Sequence, residues 1–230
     1  MGLAEDLKAE TEDIFRSQWE TREGTIVPSD DSLKLTNDGI KLKAAVLYAD
    51  LAESTKMVDS KKSVFAAEVY KAFLRGACRV IRSMNGSVTA FDGDRVMAIF
   101  IGETPNSDAV KTGLKINCFV RNVLNSSMKT IYPNSDFVIR HGVGIDSGEL
   151  LVARTGIRGA NDLVWVGPSA NYAAKLATLR DGNYNTWITQ KVFDVLSKET
   201  KYSKDQLMWE TRTWTPYGQT IYRSSYWWHL

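Results

Sequence analysis

The sequence predicts an α+β fold, a ferredoxin-like sandwich in which helices cover one face of a mostly antiparallel sheet. Three observations lead there. Apolar residues recur at helical spacing over 64–84 and again over 107–124. Strand-length apolar runs and short turns alternate with those helices, giving the order strand, helix, hairpin, helix, which layers helices on a sheet. The 230 residues, 43% hydrophobic and 24% charged, are enough to bury one substantial core, and no internal repeat or low-complexity tract breaks the chain up.

Taken in order, residues 3–19 carry Leu3, Leu7, Ile14, Phe15 and Trp19 near helical spacing among acids and lysines, an amphipathic helix that docks on something. Residues 21–40, with Gly24, Pro28 and the Ser29-Asp30-Asp31-Ser32 cluster, read as a linker. The expected organisation is therefore a helix and linker over 1–39 and a main domain over 40–230. That domain opens with a strand over 43–50. Val64, Phe65, Val69, Phe73, Leu74, Ala77, Val80 and Ile81 then form one helical stripe, which Asn85-Gly86 ends. A hairpin over 87–91 and 95–101 turns at Asp92-Gly93-Asp94, and a second amphipathic helix covers 107–124. Residues 137–146 alternate, Gly148 is expected to turn the chain, and 149–154 is expected to return as the partner strand. A short strand over 162–166 and a helix over 170–179, with Pro168 at its start, come next. A strand over 186–189, a short helix over 191–196 and a late hairpin turned at Pro216-Tyr217-Gly218 complete the domain. The tail aromatics Trp209, Trp214, Trp227 and Trp228 are assigned to packing on the sheet or at a subunit contact.

Composition excludes several classes. A net charge of +2 without any Lys/Arg-rich run is a poor nucleic-acid surface. Cys78 and Cys118 sit in helical segments without a Cys-x-x-Cys or Cys/His cluster and read as small core residues in a reducing compartment. The N-terminus lacks the apolar stretch of a signal peptide, and the longest apolar runs are strand-length. The expectation is a cytoplasmic protein without a membrane span.

The chemistry-bearing residues lie at strand ends. Asp50 closes Val46-Leu47-Tyr48-Ala49-Asp50-Leu51, and Asp94 sits in Phe91-Asp92-Gly93-Asp94 before the apolar run Val96-Met97-Ala98-Ile99-Phe100. Each aspartate alone is ordinary turn chemistry. As a pair on adjoining strands they suit a two-metal phosphoryl-transfer site, with two Mn²⁺ or Mg²⁺ ions steadying both the attacking and the leaving oxygen.

These segments resemble the class III nucleotidyl cyclases, the adenylate and guanylate cyclase family, over roughly 44–196. The family's Asp-Ile-x-Gly-Phe-Thr stands here as Asp50-Leu51-Ala52-Glu53-Ser54-Thr55, with Glu53 in the place of the glycine. Its Gly-Asp-x-x-Met is matched by Gly93-Asp94-Arg95-Val96-Met97, and its Gly-x-x-Val-Asn-x-Ala-Ala-Arg by 167–175. The resemblance implies that Asp50 and Asp94, with the Leu51 carbonyl, hold the metals. It implies that Ala52, Glu53, Ser54 and Thr55 cradle the triphosphate through backbone amides. Asn171 is implied to position the ribose and Lys175 to stabilise charge on the α-phosphate, one helical turn apart on one face. Metals and Asn171 would come from opposite subunits of a head-to-tail homodimer, and the product would be a 3′,5′-cyclic nucleotide.

The residues that read a purine in this family fall here on Ala90 and Val164, which cannot hydrogen-bond a base edge through their side chains. The N-terminal segment and the Asp50 motif together resemble the pyrimidine cyclases of the bacterial anti-phage Pycsar group. The base pocket is placed at Tyr48, Phe91, Val164 and Trp165, and narrowing by bulky neighbours such as Tyr48, Phe91 or Trp165 favours a single-ring base. The expectation is a uridylate cyclase converting UTP to cyclic UMP, a messenger for a separate effector. The alternatives are a CTP-specific cyclase, an adenylate cyclase with an unusual base pocket, and a catalytically silent cyclase-fold binding module. Arg95 and Arg140 are weaker base or phosphate contacts, and His141, with no serine or third ligand near it, is read as structural.

Overall fold

The computed structural model describes residues 2–230. The chain begins with α1 (Leu3–Arg16), β1 (Glu20–Glu23) and β2 (Asp38–Leu51). A short α2 (Ser54–Ser60) precedes α3 (Ser63–Ser83), and the hairpin of β3 (Ser87–Asp92) and β4 (Arg95–Phe100) follows. α4 (Pro105–Cys118) runs through a π-helical stretch, Phe119–Leu124, into α5 (Asn125–Ile131). Next come β5 (His141–Ile157), β6 (Ala160–Val166), α6 (Pro168–Ala177), β7 (Thr186–Thr189) and α7 (Gln190–Asp194). The last elements are α8 (Lys198–Lys201), a small ladder of β8 (Tyr202–Ser203) and β9 (Gln206–Leu207), and the hairpin of β10 (Glu210–Trp214) and β11 (Gln219–Ser224). No helix among the described residues is long and apolar enough to cross a membrane.

The elements form two compact units. The smaller comprises residues 2–43 and 149–167. Its helix α1 buries none of its residues, and Leu3, Leu7, Ile14 and Phe15 face outward. Part of the expected linker is a strand: β1 pairs in parallel with β2, Glu20 to Asp38 through Glu23 to Lys41. Asp38 explains why the segment is ordered, because its buried carboxylate accepts from the Arg22 guanidinium and from the Lys34 amide. The expected hairpin at Gly148 is also corrected. β5 is one continuous strand through Gly148, and its antiparallel partner is β6, from Leu151 opposite Val166 to Ile157 opposite Ala160. The chain turns at Gly159, whose φ of 86° is the left-handed conformation a glycine takes without Cβ strain. Gly148 has no such dihedral and is simply extended.

The larger unit comprises residues 44–148 and 168–230. Its strands lie in the order β10-β11-β7-β5-β2-β4-β3; β10–β11, β11–β7, β2–β4 and β4–β3 pair antiparallel, and β5 pairs with β7 in parallel. Period-two alternation decides which residues enter the main core: Leu47, Ala49 and Leu51 of β2, Val96, Ala98 and Phe100 of β4, and Val143 and Ile145 of β5. Phe73, Ala77 and Ile81 of α3 and Val110 and Leu114 of α4 cover that face. The expected layering thus holds for the long helices. α6 adds a layer on the opposite face, where Leu176 packs with Trp187, Trp214 and Ile221. Gly144 has no side chain on that face because a Cβ would strike the Ala173 carbonyl and the Ala177 amide of α6. Trp209 and Trp228 pack on the main core, as the tail aromatics were expected to do, and the Trp209 indole donates to the Thr200 carbonyl at 2.8 Å. Both cysteines are free, Cys118 buried and Cys78 half-buried.

Candidate active site

The alternation that sends Leu47, Ala49 and Leu51 into the core sends Tyr48 and Asp50 to the other face of the sheet. Asp50 stands opposite Arg95 of β4, and the β3–β4 turn carries Asp94 beside it. Asp50 is only 8% exposed. Its burial, and then the like charge of Asp94, push its carboxyl up to about 6, against the pull of Arg180 and Arg95. Asp94 is half-buried, and its Oδ2 is buried without a hydrogen-bond partner among the described residues. Two neighbouring carboxylates that repel each other, one with an orphan oxygen, have the chemistry of a divalent-cation site. Among the described residues they are not joined by a third His, Cys, Asp or Glu. The remaining oxygen ligands would be the Leu51 carbonyl and the substrate.

Arg180, which the sequence did not single out, belongs to this site. It follows the end of α6, and its Nη1 donates to the carbonyls of Ala177 at 2.5 Å and Leu179 at 2.9 Å. Its Nη2 lies 3.3 Å from Asp50 Oδ2 and 3.4 Å from the Leu51 carbonyl. One guanidinium therefore engages both groups expected to hold metal on this side. Desolvation pulls the Arg180 pKa down, and Asp50 and Asp94 support the charge. Room for it comes from Gly142, where a Cβ would meet both Arg180 Nη1 and the Ala177 carbonyl. The glycine at 142 was the only trace of this contact in the sequence.

In the turn expected to hold phosphate, the Ala52 amide is already engaged, donating to the Arg140 carbonyl at 2.9 Å. The amides of Glu53, Ser54 and Thr55, at the start of α2, meet no backbone acceptor among the described residues. Glu53 caps α2 with φ 58°, the left-handed conformation that accounts for a glycine at this place in the family motif. Its carboxylate pairs with Lys56 at 2.7 Å.

α6 buries Ala170, Ala173, Leu176 and Ala177 and leaves Asn171 and Lys175 exposed on its outer face. Lys175 Nζ donates to the Tyr217 hydroxyl at 2.5 Å and lies 4.8 Å from that ring's centre. Tyr217 is held edge-on to Tyr172 and tilted on Trp214, so the cation rests on an aromatic platform. Among the described residues, neither Asn171 nor Lys175 bonds to Asp50 or Asp94 within one chain.

The expected base-pocket residues fall in both units. Tyr48 shares the face of Asp50, is half-buried, and has its phenol pushed up by burial with Arg95 and Asp92 nearby. Phe91 pairs with Val96, so it lies on the face carrying α3, and it is exposed. Val164 and Trp165 belong to the smaller unit, paired with Ala153 and Val152 on β5. Ala90 pairs with Met97 beside a bulge at Thr89. His141 is buried, and that burial pushes its imidazole down to about 3.

No protein-family profile matches the chain. Full-length relatives exist: it is 47% identical over 232 residues, with all of both chains covered, to a protein named uridylate cyclase from Xanthomonas perforans. It is 45% identical, with 99% of both covered, to one of the same name from Burkholderia cepacia. Among solved structures, the guanylyl cyclase Cya2 superposes with a TM-score of 0.69 at 16% identity, covering 83% of this chain and 95% of that one. The adenylyl cyclase CyaB from P. aeruginosa gives 0.66 at 16% identity, covering 81% and 95%.

Proposed function

The chain belongs to the uridylate cyclase family and has the class III nucleotidyl cyclase fold, and from that membership we propose that it converts UTP to 3′,5′-cyclic UMP and pyrophosphate. The observation that carries the chemistry is the Asp50–Asp94 carboxylate pair at adjoining strand ends, Asp50 buried and Asp94 half-buried with one oxygen left unpartnered among the described residues. Asp50, Asp94 and the Leu51 carbonyl would hold two Mn²⁺ or Mg²⁺ ions. When bound, these ions neutralise the triphosphate and acidify the ribose 3′-hydroxyl. The residues of the chain supply the positioning. Arg180 fixes the Asp50 carboxylate from outside the strand, and the amides of Glu53, Ser54 and Thr55 offer donors to phosphate oxygens. Lys175, steered by Tyr217, brings a cation to the α-phosphate, and Asn171 orients the ribose so that O3′ displaces pyrophosphate from the α-phosphorus.

The pyrimidine preference is supported by what the base positions lack. Ala90 and Val164 offer no side-chain hydrogen bond to a purine edge, and the half-buried Tyr48 beside Asp50 occupies room on the substrate face. The full-length relatives carry the uridylate cyclase name. Asn171 and Lys175 lie on the outer face of α6, away from any bond to the aspartates, which supports a head-to-tail homodimer that brings the two halves together. On this reading the protein is a defence enzyme whose cyclic product signals infection by phage to a separate effector. The test is incubation of the purified protein with Mn²⁺ and each of the four ribonucleoside triphosphates, with the cyclic products separated by chromatography. Cyclic UMP should dominate; a dominant cyclic AMP or cyclic CMP would overturn the substrate assignment.

A further inference from the structure

A polar cavity of about 610 Å³ opens in the larger unit where the N-terminal ends of β5 and β7 meet the π-helical stretch. Its lining is rich in donors: Arg121, Arg140, Asn117, Asn183, Asn185 and His141 contribute, and no carboxylate does. Neither arginine takes part in an ion pair among the described residues, although Arg121 lies 5.9 Å from the Trp227 ring centre. Asn117 donates to the Tyr226 carbonyl at 2.8 Å and accepts from Asn185 Nδ2 at 3.1 Å, so that wall is fixed before anything binds. His141 is 3% exposed, and its Nε2 is buried without a partner among the described residues. The π-helix supplies Val120 and Arg121 to the rim, and such local widening of a helix recurs at functional sites.

We propose that this cavity is a second ligand site, taking a small phosphorylated metabolite of nucleotide size whose phosphate is clamped by Arg121 and Arg140. The volume suits such a ligand, and two guanidinia outside any ion pair among the described residues, in a lining without a carboxylate, favour an anion. The site also reaches the catalytic turn. The Arg140 carbonyl accepts the Ala52 amide at 2.9 Å, so a ligand that draws Arg140 toward the cavity moves the residue two places after Asp50. Occupancy thereby tunes turnover. That last step rests on the cyclase reading, whereas binding itself does not.

The experiment is calorimetry on the full chain in EDTA, where the catalytic carboxylates hold no cation, with inorganic phosphate and adenosine 5′-monophosphate as probes. At least one should bind saturably with a Kd below about 10 mM, Arg121→Ala should weaken it at least ~10-fold, and Asp50→Asn should leave it unchanged. Tighter binding of the monophosphate identifies a nucleotide-like ligand; equal binding identifies the phosphate group alone. The site is overturned if neither probe binds, or if binding survives Arg121→Ala or is lost in Asp50→Asn. Asn183→Ala, another exposed substitution in the lining, should weaken binding in parallel. In turnover assays the bound probe should change the wild-type rate and leave that of Arg121→Ala unmoved; a probe that binds at this site without changing the wild-type rate refutes the coupling.

Discussion

Arg180 Nη2 lies 3.3 Å from Asp50 Oδ2, an ion pair between residues 130 positions apart that places a fixed cation against a carboxylate expected to bind mobile ones. Arg180 opposes the burial and the Asp94 charge that lift the Asp50 carboxyl. Removing it should therefore raise that midpoint above about 6 in cation-free buffer. Carboxyl-carbon NMR of Arg180→Met against wild type measures the shift; an unchanged midpoint would show that the contact does not form in solution.

Asp50→Asn and Asp94→Asn should each reduce turnover by at least ~10³-fold while leaving the fold intact, since in the proposed mechanism each removes a charged oxygen ligand and keeps the volume. Circular dichroism checks the fold, and Mn²⁺ binding followed by electron paramagnetic resonance should fall with activity.

Mixing two inactive variants tests the dimer. If metals and Asn171 meet across a two-fold axis, half of the randomly assorted dimers combine Asp50→Asn with Asn171→Ala chains, and each of these keeps one complete site. Activity should return to about a quarter of wild type. A mixture as inactive as its components would place both groups in one chain.

Gly142→Ala should destabilise the protein by roughly 1–3 kcal/mol, because its Cβ collides with backbone at Ala177 and cannot be absorbed by a side-chain rotation alone. Urea unfolding measures this. The same variant should displace Arg180 and so lower activity beyond what the loss of stability explains.

His141 gives a pH dependence of defined sign. Burial lowers its folded-state pKa to about 3, so below about 6.5 the unfolded chain binds the proton more readily and stability falls with pH. Between pH 6.5 and 4.5 that contribution is roughly 2–3 kcal/mol. The gap between wild type and His141→Gln in urea unfolding should narrow by this amount over the interval.

Local pattern exposed much of this architecture. The stripe from Val64 to Ile81 became α3 because 3.6-residue spacing leaves few alternatives, and the Asp92-Gly93-Asp94 turn appeared where a hairpin needed one. Gly148 misled because glycine also occurs in extended strands, and the real turn at Gly159 lay outside any strong turn cluster. β1 escaped notice because all four of its residues are exposed, leaving no apolar alternation to read. In the site, Asp50, Asp94, Asn171 and Lys175 stood out through short motifs. Arg180 and Tyr217 did not, since their importance comes from tertiary contacts with residues 130 and 42 positions away.

α6 and the residues just beyond it attend to two tasks. The helix presents Asn171 and Lys175 outward, toward the partner's nucleotide in the proposed dimer, and Arg180 just past its end grips the Asp50 of its own chain. A displacement of this short rod by substrate at one catalytic centre would be transmitted to the other. Initial-rate curves should then depart from hyperbolic form, with a Hill coefficient that returns to unity once Arg180 is replaced.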